Sequence, residues 1–514
     1  MPRITWRAGA HSGTAEAEAG SPLMDALRAL GLSFPCGGRH TCGKCRVLAS
    51  GALSEAGENE RALLRGTPAG TRLACFVRVL GDCEIILPQR AGDRIETGSA
   101  VLDAPLDPIY KGAFGAAFDI GTTTVVGYLF SREKPEALAV AGEMNRQGRC
   151  GADVLSRIEF TLQNTVEPLR ELICGQLSDL LVRLCRDAGI GKDQLSGLCV
   201  TGNTTMLHMA AGLDPRSLSQ APFTPQSLFG ETWDLRLPDF PDLPAYLPRC
   251  VSAYVGADIT CSILASGILR QPGRWLLVDV GTNGEMALKT GEGLFCCATA
   301  AGPAFEGAGI SCGSSACAGA ISQVSLEDGA LRCAVLDGGE AKTLCGSGLI
   351  DAVACLLRRG DITPKGRTGG ALPLFGAVQL TQMDVRQLQL AKGAVRGGMD
   401  TLLHAAGLSY GQLDGIVLCG GFGSRLDPAS AEAIGLLPAG MAEKTSAIGN
   451  AAGAGAGQIL QSRPCLDEAA RIPAMAHVVE LSASKYFQKR YIQAMNFPPL
   501  CEQDPLSNLG GRQL

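Results

Sequence analysis

The feature that most restricts the fold of this chain is a short pattern that occurs twice. Its copies are Phe118-Asp119-Ile120-Gly121-Thr122-Thr123-Thr124 and Val278-Asp279-Val280-Gly281-Thr282-Asn283-Gly284-Glu285. In each, apolar residues run into an aspartate, then a glycine, then hydroxyl or amide side chains. That order suits a strand ending in a tight turn whose backbone N–H groups can face a phosphate. After the first copy the chain alternates as Thr124-Val125-Val126-Gly127-Tyr128-Leu129-Phe130, which predicts a hairpin. A Walker loop or a Rossmann crossover instead opens a helix directly after its glycines, and the G-x-x-x-x-G-K-[ST] signature is absent. Two copies predict two related half-domains closing on one nucleotide.

With 514 residues the chain has room for roughly three or four domains. A net charge of −5 and a pI near 5.7 provide no basic footprint for nucleic acid. The start, Met1-Pro2-Arg3-Ile4-Thr5, has no apolar core of signal-peptide length, and no later run reaches the ~20 apolar residues that span a bilayer. The expectation is a cytoplasmic protein with neither a nucleic-acid nor a membrane partner. Most of the 21 cysteines stand singly in apolar stretches, as Cys199, Cys261, Cys355 and Cys419 do, and read as buried small hydrophobes.

Four cysteines near the N-terminus differ. Cys36-Gly37-Gly38-Arg39-His40-Thr41-Cys42-Gly43-Lys44-Cys45 puts three thiols on one glycine-rich loop, and Cys75 follows in Arg72-Leu73-Ala74-Cys75. An iron–sulfur cluster needs thiolates converging from a loop that wraps an inorganic core, and glycines let the backbone curl around it. The C-x5-C-x2-C…C spacing resembles the adrenodoxin-like [2Fe–2S] ferredoxins. An amphipathic helix at Pro22–Leu30 and strands at Cys45–Leu48 and Phe76–Val79 suit a ferredoxin-like β-grasp over residues 1–90. Two other readings use the same residues. One is a structural zinc site, although such sites pair two C-x2-C knuckles. The other takes Cys83, in the strand Gly81–Leu87, as the fourth ligand.

Residues 91–113 mix Gly, Pro, Asp and Ser without a period and read as a short linker. Beyond it, Gly151–Ile158 begins a helical region reaching Asp187 in two segments. Leu198–Val200 is a strand leading to Thr201-Gly202-Asn203-Thr204-Thr205-Met206-Leu207-His208. Asn203 there is either a helix cap or a phosphate or hinge contact, and His208, with no metal-ligand spacing near it, is a core histidine. Residues 214–250 form an irregular excursion, and Gly256-Ala257-Asp258-Ile259-Thr260 starts a helix back to the strand that ends in Asp279.

In the second half, Glu306 lies in the small-residue run Ala298–Ile310. It is a candidate to orient a water or a metal-bound water, or else a helix-starting carboxylate. Cys345-Gly346-Ser347-Gly348 is a glycine turn opening a helix, suited to adenosine or inter-lobe contact. The strand Gly415–Cys419 runs into Gly420-Gly421-Phe422-Gly423-Ser424-Arg425, where bare backbone can take an adenine and ribose.

The order Asp119–Thr123, Asp279–Asn283, Gly420–Gly423 resembles the two phosphate motifs and the adenosine motif of the actin, sugar kinase and Hsp70 ATPase superfamily. Joined to a [2Fe–2S] module, the chain resembles the reductive activators of corrinoid proteins over residues 20–498. Val200–Thr205, Ala301–Gly307, Leu380–Arg386 and Gln389–Ala394 match further.

The resemblance implies an α/β and α+β multidomain protein. A β-grasp over 1–90 and the linker 91–113 precede a two-lobed actin-like ATPase with ribonuclease H-like halves at 114–270 and 271–498, and a polar tail, 499–514, is expected to be disordered. It implies ATP-dependent transfer of one electron from the cluster to cob(II)alamin, restoring cob(I)alamin in a corrinoid protein of a methyltransferase system. Cys36, Cys42, Cys45 and Cys75 would be the cluster ligands, and Asp119 and Asp279 would hold Mg2+ through waters. Gly121, Thr122, Thr123 and Thr124, with Gly281, Thr282, Asn283 and Gly284, would bind phosphate, and Gly420, Gly421 and Gly423 the nucleoside. An upstream electron donor and a homodimer are also implied. Some activators carry paired [4Fe–4S] motifs near the C-terminus; here that region has only Cys465 and Cys501, so one cluster is expected. Two other functions fit the same parts: an injector like the [4Fe–4S] activators of 2-hydroxyacyl-CoA dehydratases, and a non-catalytic redox and nucleotide sensor.

Overall fold

The structure is a computed structural model that describes residues 1–8, 11–29, 32, 34, 38, 40, 43, 45–64, 67–87, 104–421 and 426–499. The expected ligands Cys36 and Cys42, the expected nucleoside contact Gly423, linker residues 91–103 and tail residues 500–514 lie outside these.

The N-terminal module is a five-stranded sheet of β1 (Arg3–Ala8), β2 (His11–Glu16), β3 (Arg46–Leu53), β4 (Thr71–Leu73) and β5 (Val79–Ile86), in the order β2-β1-β5-β3-β4. Helices α1 (Leu23–Ala29) and α2 (Glu58–Leu63) accompany it. The parallel β1–β5 pair sits inside otherwise antiparallel neighbours, as a β-grasp requires. Alternation along β5 sends Val79, Cys83 and Ile85 into a core with Ile4, Leu23, Leu27, Phe34 and Val47. The strand expected at Phe76–Val79 begins only at Val79, as β5.

The next sheet holds β6 (Phe114–Ile120), β7 (Thr124–Ser131), β8 (Ala137–Met144), β9 (Leu195–Gly202), β10 (Glu231–Trp233) and β11 (Ala245–Leu247), ordered β10-β11-β9-β6-β7-β8. Between β8 and β9 run α3 (Val154–Gln163) and α4 (Glu167–Ala188), the two helical segments expected. Then α5 (Thr204–Ala211) follows β9, and α6 (Ala257–Ser266) follows β11.

The third sheet repeats the plan. It comprises β12 (Trp275–Val280), β13 (Gly284–Lys289), β14 (Leu294–Thr299), β20 (Gly415–Cys419), β21 (Thr445–Ala447) and β22 (Ala476–Val478), ordered β21-β20-β12-β13-β14-β22. Its insertions are β15 (Ala320–Glu327), β16 (Ala330–Val335), β17 (Thr343–Leu344), α7 (Gly346–Arg359), β18 (Leu372–Phe375), β19 (Val378–Leu380), α8 (Gln382–Ala405), α9 (Pro428–Ala433), α10 (Ala451–Gln461), α11 (Arg463–Met475) and the last helix, α12 (Lys485–Ala494). In both sheets the motif strand pairs antiparallel with the next strand and parallel with a later one: Asp119 faces Val126 and Thr201, Asp279 faces Glu285 and Cys419. The fold is thus the mixed multidomain α/β architecture expected, with the duplication visible in the register.

Helices α6 and α10 lie between the two large sheets, in one core with Ala117, Val126 and Tyr128 of the first sheet and Leu277, Ala287 and Val417 of the second. Every residue of α10, Ala-Ala-Gly-Ala-Gly-Ala-Gly-Gln-Ile-Leu-Gln, is buried. Small residues are what allow it. A Cβ on Gly453 would sit 2.6 Å from the Tyr128 ring and one on Gly457 2.7 Å from Phe130. The third glycine, Gly455, presses on Cys261 of α6. Each glycine costs a helix about 1 kcal/mol of propensity, offset here by close approach on both sides. Residues 107–110, expected as linker, are tied to the end of this helix: Asp107 N–H donates to Gln461 O at 2.9 Å and Ile109 N–H to Leu460 O at 3.0 Å.

Candidate functional site

The first of the two expected phosphate turns is held from behind. Asn145 Nδ2 donates to Gly121 O at 2.8 Å, Arg157 Nη2 to Thr122 O at 2.5 Å, and the Asn145 N–H to Thr123 O at 2.8 Å. With three successive carbonyls turned into the first lobe, the opposite edge of the turn faces the second. Gly121 is required there, because a Cβ would lie 2.9 Å from Thr124 O. Asn203 is the helix cap the sequence allowed: its Oδ1 caps α5 at Met206 N–H, 2.9 Å, and its Nδ2 reaches Thr122 Oγ1 at 3.2 Å. His208 is fully buried, with Nδ1 on Thr204 O and Nε2 accepting from Gln226 N–H, a core histidine whose pKa burial pushes down.

The two turns meet across the lobes. Thr123 Oγ1 lies 2.9 Å from Thr282 Oγ1, and Glu306 Oε2 accepts from both, at 2.6 and 3.0 Å. Glu306 ends a 3-10 turn, Pro303–Glu306, between Gly302 and Gly307, both at positive φ. It therefore sits between the two motif turns rather than opening an α-helix. Burial raises its pKa, and the hydroxyl bonds pull the other way.

The ends of the two motif strands and the start of α6 gather carboxylates that repel one another. Asp119 at the end of β6 is pushed to about 7 by burial, against the Asn450 Nδ2 bond of 3.0 Å and with repulsion from Asp279. Asp258, in the first turn of α6, is pushed to about 8 by burial and by Asp279 and Asp119. Asp279 rises to about 6 through burial, and Glu285 rises well above its ordinary value for the same reason, with Asp258 and Asp279 adding repulsion. Such a cluster is unfavourable until a cation arrives, and hard oxygen ligands suit Mg2+. Among the described residues no three acidic, histidine or cysteine groups converge tightly enough to ligate one ion directly.

Asp119, Asp279, Glu306 and the two turns are thus brought together, while Asp258, Glu285 and Asn450 went unassigned in the sequence reading. Asp258 could have been found as a carboxylate opening the helix before the second motif, and Glu285 as the end of that motif. Nothing local marks Asn450, the cap of α10. At the expected nucleoside turn, Gly420 has φ +92° and a Cβ there would press on Asp279 Oδ1 and lie 2.8 Å from Val280 O, so glycine is obligatory. Gly421 follows it. The glycine turn at Cys345 opens α7 as expected, and Ser347 Oγ donates to Ser322 O at 2.8 Å within the second lobe.

In the N-terminal module, Cys45 Sγ and Cys75 Sγ lie 3.3 Å apart, close enough to share one iron. Of the described residues between the expected ligands, Gly38 and Gly43 have φ +90° and +61°. His40, at φ +64°, stacks on Phe76 with centroids 4.2 Å apart, and its Nε2 lies 2.8 Å from Cys75 O. The close Cys45 and Cys75 thiols, with His40 bonded to Cys75 O, suit an iron–sulfur cluster. Cys83 is buried on β5 among the module's apolar residues, with a thiol pKa raised by burial and by Asp82.

Comparison with known proteins agrees with these parts. Residues 114–271 match the model of the RACo middle region, and residues 274–504 that of the C-terminal domain of RACo, the ASKHA domain. The chain is 32% identical over 438 residues to the corrinoid activation enzyme RamQ of Eubacterium limosum, covering 78% of this chain and 74% of that protein. It is 28% identical over 424 residues to a [Co(II) methylated amine-specific corrinoid protein] reductase of Methanosarcina barkeri, covering 75% and 77%. A solved reductive activator for corrinoid, iron–sulfur protein superposes with a TM-score of 0.71 at 27% identity, over 97% of this chain and 98% of that one. No helix among the described residues is long and apolar enough to cross a membrane. A ferredoxin-like module, two lobes of one plan and these relatives place the chain in the family of reductive activators of corrinoid proteins.

Proposed function

We propose that this protein reactivates a corrinoid protein of a methyltransferase system in the cytoplasm, passing one electron from a [2Fe–2S] cluster to cob(II)alamin at the expense of ATP. The observation that carries the reading is the bridge Thr123–Glu306–Thr282, which joins the two phosphate turns over a floor of carboxylates. When bound at Cys36, Cys42, Cys45 and Cys75, the cluster supplies a one-electron donor. Plant-type centres sit near about −400 mV. Cob(I)alamin formation lies lower still, and each ~59 mV uphill costs a factor of ten. ATP supplies the bias.

The chain's own groups divide the work. The turns Gly121–Thr124 and Gly281–Gly284 hold the phosphates, Asp119 and Asp279 hold Mg2+ through waters, and Gly420, Gly421 and Gly423 take the nucleoside. Glu306 orients the attacking water and accepts its proton, and so exchanges its threonine contacts for that water. Closing of the lobes on ATP and reopening after hydrolysis change the affinity for the corrinoid partner, since a ligand shifts an equilibrium only by its differential affinity. An upstream reductant refills the donor, and the active form is a homodimer.

The test uses purified, iron-reconstituted protein, a corrinoid protein and a chemical reductant. Cobalt reduction should follow ATP, and Cys42→Ala should abolish it while leaving nucleotide binding intact. Equal reduction without nucleotide, or by the variant, refutes the proposal. EPR of the reduced protein separates a [2Fe–2S] from a [4Fe–4S] centre.

A further inference from the structure

We propose that Arg157 is a positioning residue for the nucleotide, a fixed positive charge behind the first phosphate turn that the nucleotide's own phosphates neutralise. The proposal rests on the nucleotide-binding reading above and adds a group that reading does not use.

Arg157 lies on the inner face of α3 and is 1% exposed. Its guanidinium donates to Thr122 O at 2.5 Å, Gly151 O at 2.9 Å and Gln147 Oε1 at 3.3 Å, and touches Met206 Sδ at 2.9 Å. All four acceptors are neutral, and among the described residues Arg157 has no ion-pair partner. Asp153 lies nearer the surface, and its carboxylate is engaged as the cap of α3, accepting from Ser156 N–H at 2.7 Å. Burial lowers the Arg157 pKa to about 10, with Cys150 and Asp153 pulling it up, which leaves it charged at neutral pH.

A buried guanidinium whose hydrogen-bond partners are all neutral is costly, and such a charge persists where an anion arrives to meet it. The geometry says where that anion comes. Arg157 grips the carbonyl of the Thr122–Thr123 peptide, and in a planar trans peptide the N–H points the opposite way. That N–H belongs to Thr123, whose hydroxyl already faces Thr282 and Glu306 across the lobes. Pulling on the carbonyl polarises the peptide and strengthens its N–H as a donor. One group therefore sets the turn's orientation and adds charge to its phosphate-facing edge.

The experiment measures binding of adenosine, ADP and ATP with Mg2+ to the full-length protein by calorimetry. Two variants are compared with the parent. Arg157→Gln keeps a donor and removes the charge; Gln147→Glu keeps Arg157 and supplies a buried counter-charge beside it. Both should weaken ADP and ATP by about ten-fold or more and leave adenosine within about two-fold, one factor of ten being 1.4 kcal/mol. A scaffold role alone would weaken all three together or none. If Arg157→Gln does not fold, Gln147→Glu decides. Unchanged ADP-to-adenosine ratios overturn the proposal. Failure of the parent protein to bind ADP or ATP instead overturns the nucleotide reading itself.

Discussion

Thr123 Oγ1 and Thr282 Oγ1 stand 2.9 Å apart although they belong to turns of two different sheets, and a single carboxylate oxygen of Glu306 accepts from both. Any opening of the lobes must break this bridge. Anything that enters between the turns must replace it.

The first prediction follows from that placement. Glu306→Gln keeps an acceptor for a threonine hydroxyl and cannot take a proton from water. ATP turnover should fall by about 100-fold or more, with ATP affinity within a few-fold of the parent. Single-turnover hydrolysis of labelled ATP is the measurement, and parental turnover in the variant removes Glu306 from the chemistry.

The carboxylate floor predicts a pH dependence of the cation-free protein. Folded pKa values of about 7, 8 and 6 for Asp119, Asp258 and Asp279 lie above those of an unfolded chain. Their contribution to stability is therefore complete below about pH 4 and is lost as pH rises through about 6 to 8. Between about pH 5 and pH 8.5 the cation-free Tm should fall, Mg-nucleotide should restore more stability at the upper end, and Asp258→Asn should flatten the profile. Scanning calorimetry across that range tests all three outcomes, and a profile unchanged by Asp258→Asn counts against the cluster as its source.

Cysteine variants should separate ligands from core. Cys45→Ser and Cys75→Ser, which remove either member of the 3.3 Å pair, should lose bound iron and the visible chromophore after reconstitution, with nucleotide binding unaffected. Cys83→Ala should keep both, because its side chain packs in the apolar core of the module. Iron content and absorption spectra check this, and a Cys83→Ala protein without iron would reinstate Cys83 as a ligand.

Packing between the lobes gives the last prediction. Gly455→Val places a side chain against Cys261 O and should destabilise the protein by about 1–3 kcal/mol or more. Gly411→Ala, whose new Cβ meets nothing within 4 Å, should stay within about 0.5 kcal/mol. Chemical denaturation of both measures the difference.

The residues alone were enough for the paired turns, since Asp-x-Gly followed by a hydroxyl or amide is local turn chemistry, and for the strands and helices next to them. The thiol spacing Cys36-x5-Cys42-x2-Cys45 is equally local, but Cys36 and Cys42 lie outside the described residues. What tertiary structure decided is which distant groups share the cleft. Asn450 caps a helix and bonds Asp119 from far along the chain, Asp258 and Glu285 converge with the two motif aspartates, and Arg157 holds Thr122 from a surface helix. The glycine-alanine run at 451–457 has no amphipathic period, because it is buried on every side, so its place between the sheets could not be read from periodicity. Turn chemistry is settled by neighbours in sequence. Which carboxylates lie beside one another, and which cation lies behind one turn, is settled by two sheets clamped on a pair of small-faced helices, and that depends on many weak contacts between residues remote in the chain.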